Sequence, residues 1–180
     1  MNRPNLHRLK RSLSDNRGAA VVEFALVSVP LICILLAAIQ LTVFFLFSEE
    51  LQSVTQKAGR ELMTGQAQTA NLSYTQFDKA VCALAQAPFT CSSLMIDVES
   101  ASSFSTISTS PLTPTPTPTN KATGQATSLG YSPGNPGDIV ILRVMYAWPM
   151  FGGSLIPGLA NQSNGTSLMV GTAVFKNEPY

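Results

Sequence analysis

Charge is scarce in this chain, at 12% of its 180 residues, and histidine occurs once, at His7. A single imidazole near the start leaves no Ser–His–Asp set for the rest of the chain. Three cysteines, Cys33, Cys82 and Cys91, are too few and too dispersed for a zinc site. No glycine loop of the phosphate-cradling kind occurs. Beyond residue 60 there is no basic stripe with interleaved aromatics, so nucleic acid is excluded as a partner. Internal repeats are absent as well. No enzyme and no cofactor are expected.

The few charges that exist are unevenly placed. Residues 1–17 hold Arg3, Arg8, Lys10, Arg11 and Arg17 against Asp15 alone, a net of +4. The remainder carries six basic and nine acidic side chains, a net of −3. Between them residues 24–47 are uncharged. As a helix at 1.5 Å per residue this run spans roughly 36 Å, enough to cross a hydrocarbon core of about 30 Å. Ser28, Gln40 and Thr42 are tolerable interruptions, and Pro30 bends such a helix without ending it. The basic leader on one side and Glu49 with Glu50 on the other orient it, by the positive-inside rule, with residues 1–17 cytoplasmic and residues 48–180 exported. The run is too long for a cleaved secretory signal, and "LFSEELQ" after it offers no small-x-small cleavage site.

The exported part begins helically. In "SEELQSVTQKAGRELMTG" Leu51, Val54, Ala58 and Leu62 recur at steps of three and four, and Gly65 is a stop signal. One rod over about residues 19–64 is predicted, comprising a transmembrane part, 19–47, and a continuation, 48–65. "SYTQFDKAVCALAQAP" predicts a second helix, with Ser73 and Gln76 spaced as a capping box and Pro88 preventing continuation. Its apolar face is Phe77, Ala80, Val81 and Leu84.

Three strands follow. "SLMIDVES" alternates, with Leu94, Ile96 and Val98 on one face and Met95, Asp97 and Glu99 on the other. Asp97 and Glu99 share a face, which could suit acid–base chemistry, but a solvated strand face is the preferred reading. "DIVILRVMYAW" is apolar on both faces except at Arg143, so it is expected to lie centrally. "SLMVGTAVFKN" reads as a last strand, with Gly171 suggesting a bulge. Residues 108–137 read as a loop. "PLTPTPTPT" within it favours stiff polyproline structure, either as a surface excursion or as a site of O-linked modification or partner contact. The Asn-x-Ser/Thr sequons at Asn71, Asn161 and Asn164 are expected by chance in a chain this rich in Ser and Thr. The fold class is α+β: a long N-terminal helix and a head, 66–180, with a three- or four-stranded antiparallel sheet.

Cys33 reads as an apolar filler of the membrane run. Cys82 and Cys91 fall on the exported side, where an oxidising compartment favours a bridge between them.

One carboxylate remains, Glu23 in "RGAAVVEFALV", just inside the apolar run. It is either an interfacial residue reaching back to the headgroups or an assembly device. The second reading follows from a cut after Gly18. The new α-amino group on Ala19 would be mostly cationic, and Glu23 lies one helical turn away on the same face. Glycine before the cut lets a peptidase approach the backbone closely. "RGAAVVEF" resembles the class III signal of type IV pilins and pseudopilins, in which a basic leader ends in Gly and Glu stands fifth after the cut. More narrowly, "RGAAVVEFALVSVPLI", "GDIVILRVMYAWP" and "GTAVFKNEPY" resemble TadE-like minor pilins of the Tad (Flp) system.

The resemblance implies a leader, 1–18, removed by a prepilin peptidase at the cytoplasmic face, and assembly through Glu23 and Phe24. It also implies a subunit held in the bacterial inner membrane with a periplasmic head, before incorporation into an extracellular pilus for adherence and biofilm. The partners would be the peptidase, other Tad pilins, the Tad assembly machine and the lipid bilayer. The rival reading is an unprocessed single-pass protein with a periplasmic binding or assembly domain.

Overall fold

The computed structural model describes residues 18–106, 129–150, 160, 162 and 165–180. Its elements, in order, are helix α1 (Ala19–Met63), a single turn α2 (Gln66–Thr69), helix α3 (Tyr74–Leu84), a 3₁₀ turn (Cys91–Ser93), and strands β1 (Leu94–Ala101), β2 (Ile139–Pro149) and β3 (Thr166–Lys176). This is the α+β class read from the sequence, with three antiparallel strands in the order β1-β2-β3. Residues 1–17 of the leader and the Thr/Pro segment fall outside the described residues, as do Asn161 and Asn164. The chain divides into two compact units, one ending at Thr42 and one beginning at Val43.

In the first unit α1 runs through Pro30 without a break. Its apolar side chains, among them Val21, Leu26, Ile34 and Leu36, are exposed, and Cys33 is exposed with them. Polar side chains in this stretch turn onto their own backbone. The Ser28 hydroxyl donates to the Ala25 carbonyl at 3.2 Å and that of Thr42 to Ala38 at 2.9 Å. Among the described residues α1 is the one helix long and apolar enough to cross a membrane.

In the second unit the predicted stripe of α1 is the inner wall of the core. Leu51, Val54, Ala58 and Leu62 are fully buried, and Thr55 with them. Gly65, at φ 74°, follows the helix and takes the left-handed turn that glycine adopts without a Cβ clash. The Glu178 N–H donates to the last helical carbonyl, Met63, at 2.9 Å. Helix α3 starts as its sequence predicts. The Gln76 side-chain oxygen accepts the Ser73 N–H at 2.9 Å and also lies 2.9 Å from the Ser73 hydroxyl. Phe77 and Val81 of α3 are buried in the same core as the α1 stripe.

Strand β2 is central, paired with β1 on one side and β3 on the other. Val140, Leu142 and Val144 join Ile96 and Val98 in the helix-packed core, while Ile141 and Met145 on the alternate face are buried too. Burial on both faces is why this strand reads as a near-continuous apolar run.

Three sequence expectations need correction. The register continues without interruption from Met145↔Val170 through Val144↔Gly171 to Arg143↔Thr172, so Gly171 is not a bulge. A Cβ there would strike the Thr55 side chain and lie 3.0 Å from the Leu51 carbonyl oxygen. Glycine is needed for close approach of helix to sheet, not for backbone conformation. Asp97 is not on a solvated face. It is fully buried, ion-paired to Arg143 at 2.9 Å, and accepts the Gly130 N–H at 2.8 Å. Finally, the expected loop contributes backbone pairing to the outer edge of β1. Val98 donates to Gly130 O, and Ser132 donates to Val98 O, each at 2.9 Å, around a parallel bridge between Val98 and Tyr131.

The free edge of β3 is closed at one point by a side chain. Gln52 of α1 donates to the Thr172 carbonyl at 2.9 Å and accepts the Thr172 N–H at 3.0 Å, so its amide takes the place of a neighbouring peptide unit.

Candidate functional site

The residues singled out around the apolar run lie at the beginning of α1. Gly18 directly precedes the helix and is exposed, with nothing within 4 Å of where a Cβ would stand. Ala19 is the first helical residue and Glu23 follows it by one turn, both exposed. At four residues' separation their side chains share a face, about 6 Å apart along the axis. Phe24 is 72% exposed, the equal of Leu26 as the most exposed large apolar side chain among the described residues. Gly18 thus leaves the backbone open on its side-chain face, and the helix beyond it offers a lipid or another apolar helix a surface with one carboxylate.

The head is tied together beside α3. Cys82, near the end of that helix, is disulfide-bonded to Cys91 in the 3₁₀ turn, with Cα atoms 5.5 Å apart. The bridge closes the turn that brings the chain from α3 into β1. On α3 and the Gly130–Ser132 segment, three rings come together: Tyr131 lies 6.1 Å from Tyr74 and 5.4 Å from Phe77. Burial raises the pKa of both phenols. At Tyr74 the Asp78 carboxylate adds to the effect, and the hydroxyl donates to the Ile96 carbonyl at 3.5 Å.

A second aromatic group was not anticipated from the sequence. Phe47, the last apolar residue of the uncharged run, meets Trp148 near the end of β2 with ring centroids 4.9 Å apart. Phe89 and Tyr146 extend the group, at 6.2 Å from Phe47 and 6.3 Å from Trp148 respectively. Spacing along the chain carries no trace of a contact between residues 47 and 148. The available signal was compositional: an aromatic at the end of the apolar run and another at the end of the central strand.

Residues 18–60 match the family model described as TadE-like protein. No curated protein and no solved structure matches the chain. The matched segment holds Gly18, Ala19, Glu23 and Phe24, the apolar run and most of the α1 stripe. It is the family that the signal segment resembles, and the helix within it is long and apolar enough to cross a membrane. Over residues 18–60, then, this chain is similar to the TadE-like family.

Proposed function

We propose that this chain is a prepilin, cut after Gly18 and then incorporated as a minor, non-enzymatic subunit of a Tad (Flp) pilus used in adherence and biofilm. The observation that carries the proposal is a coincidence at one helix end. The family match begins at Gly18, α1 begins at Ala19, and the carboxylate of Glu23 stands one turn into an exposed apolar helix.

A prepilin peptidase acting at the cytoplasmic face would leave Ala19 with a free α-amino group, mostly cationic at neutral pH. A carboxylate in lipid is costly, and that ammonium offsets the cost. When Glu23 of one subunit meets Ala19 of its neighbour, the pair also fixes the axial register of the packed helices. Any other register leaves two unpaired charges in hydrocarbon. The basic leader holds residues 1–17 in the cytoplasm, and the head reaches the periplasm before assembly by the Tad machine.

Intact-mass analysis of the membrane-bound protein, with and without the peptidase, tests the first step. Loss of residues 1–18, abolished by Gly18→Leu, supports the proposal. A full-length anchor in the presence of the peptidase refutes it and favours an unprocessed single-pass protein. Glu23→Ala tests the second step, and is expected to be cut normally but to enter pili poorly.

A further inference from the structure

We propose that the Phe47–Trp148 cluster is a lipid-binding surface of the head, with the Trp148 ring at the boundary between hydrocarbon and water. The inference rests on α1 crossing a membrane and is independent of peptidase processing or pilus assembly.

The argument begins with charge. Phe47 is the last apolar residue of the uncharged run, and Glu49 and Glu50, both exposed, follow within three positions. Neither carboxylate belongs in hydrocarbon, so the boundary falls at about Phe47. Trp148 lies against that residue at 4.9 Å, with the rings inclined by 35°. Ring contact holds it within one side-chain width of the same level. Its sheet position therefore places it at the boundary although it is remote in sequence.

The chemistry suits that level. Trp148 is half-buried against Phe47 and Tyr146, so part of its ring remains uncovered. No hydrogen bond to its indole N–H is formed among the described residues, which leaves the donor for an ester carbonyl or headgroup oxygen. An apolar body with one polar tip is the combination that concentrates tryptophan at membrane interfaces. Next to it Pro149 is exposed, and on α1 Phe45 and Leu46 are each 63% exposed, continuing the apolar surface of the membrane run. Because the neighbouring charges are acidic, the attraction is not to anionic headgroups, and zwitterionic lipid suffices.

Trp148 is the only tryptophan, so its emission reports the site directly. The full chain is reconstituted into phosphatidylcholine vesicles whose acyl chains are brominated either near the headgroup or near the chain end. We expect emission to fall about twofold with shallow bromine and less with deep bromine, as for an interfacial ring. Acrylamide access should be well below that of the urea-unfolded chain, and added salt should change neither. As a control, Trp148→Phe with Phe104→Trp moves the reporter past Ala101, which pairs with Ile139 at the opposite end of β2. That position is roughly 30 Å further along the sheet at 3.3 Å per residue, and should be quenched by acrylamide and by neither lipid. Absence of lipid quenching at Trp148 overturns the proposal, as does deep bromine quenching more than shallow. Shielding from acrylamide without lipid quenching overturns it too, because protein rather than lipid would then cover the ring.

Discussion

Asp97 and Arg143 stand opposite each other across β1 and β2, and their side chains meet at 2.9 Å with the carboxylate fully buried. Glu99, one position further along the same face, lies 3.7 Å from the guanidinium, and Gly130 donates its N–H to the second Asp97 oxygen at 2.8 Å. An antiparallel sheet brings directly opposed side chains within about 5 Å, so register alone creates this pair. It also binds the edge strand to the segment beyond it.

Removing one partner should therefore cost more than removing both. Arg143→Met leaves a buried carboxylate with only a backbone donor and a partly exposed neighbour, and should destabilise the head by about 3–5 kcal/mol. Arg143→Met combined with Asp97→Leu should recover most of that loss. Urea unfolding of the full chain in detergent micelles provides both values. A double variant as unstable as the single one would mean that the pair itself, and not the stranded charge, carries the stability.

Helix–sheet contact at Gly171 predicts a coupled pair. Gly171→Ala places a methyl against Thr55 and the Leu51 carbonyl, and should cost about 1–3 kcal/mol by overpacking. Thr55→Ala should relieve part of the loss, since the Leu51 carbonyl remains in the way. A double-mutant cycle on unfolding free energies measures the coupling. Were the glycine required for its backbone conformation, changing Thr55 would relieve nothing.

The disulfide gives a stability that reductant should remove. Nine positions separate Cys82 from Cys91, and the chain-entropy model assigns a loop of this size roughly 2.5–3 kcal/mol. Cys82→Ser with Cys91→Ser should lower the unfolding free energy by that order, and dithiothreitol should no longer affect the variant.

Tyr74 and Tyr131 should ionise above the ordinary phenol range. Burial raises both above the ordinary phenol value near 10, so the folded state holds these protons more tightly than the unfolded chain does. Their contribution to stability is complete below about pH 10 and is lost as pH rises through the folded values. Absorbance titration of phenolate should follow both groups at alkaline pH. Tyr131→Phe should remove one of them and make the alkaline loss of stability shallower.

Much of the architecture was legible because it depends on periodicities that hold along a single element. The stripe Leu51, Val54, Ala58 and Leu62 needs only the helical repeat, and all four are buried. The central position of β2 followed from apolar residues on both of its faces. Arg143 was the visible exception in that strand, yet its mate was misread, because Asp97 on an alternating strand looks like any solvated carboxylate until the register is known. Gly171 was misread for a related reason. A glycine in a strand signals either a bulge or a close approach, and only the helix lying over it decides between them.

What the sequence determined by itself is local: a charge-free run long enough for a bilayer, a glycine and a glutamate five positions apart at its start, three strands, and two cysteines close in the chain. These depend on composition and on spacings of a few residues, where the geometry of a helix or strand leaves little choice. The tertiary structure decided which distant residues became neighbours: Asp97 with Arg143, Gly171 with Thr55, Gln52 with the β3 edge, and Phe47 with Trp148. Such meetings depend on strand register and on where α1 lies across the sheet. Both are set by the packing of the whole core, and no short stretch of chain encodes them.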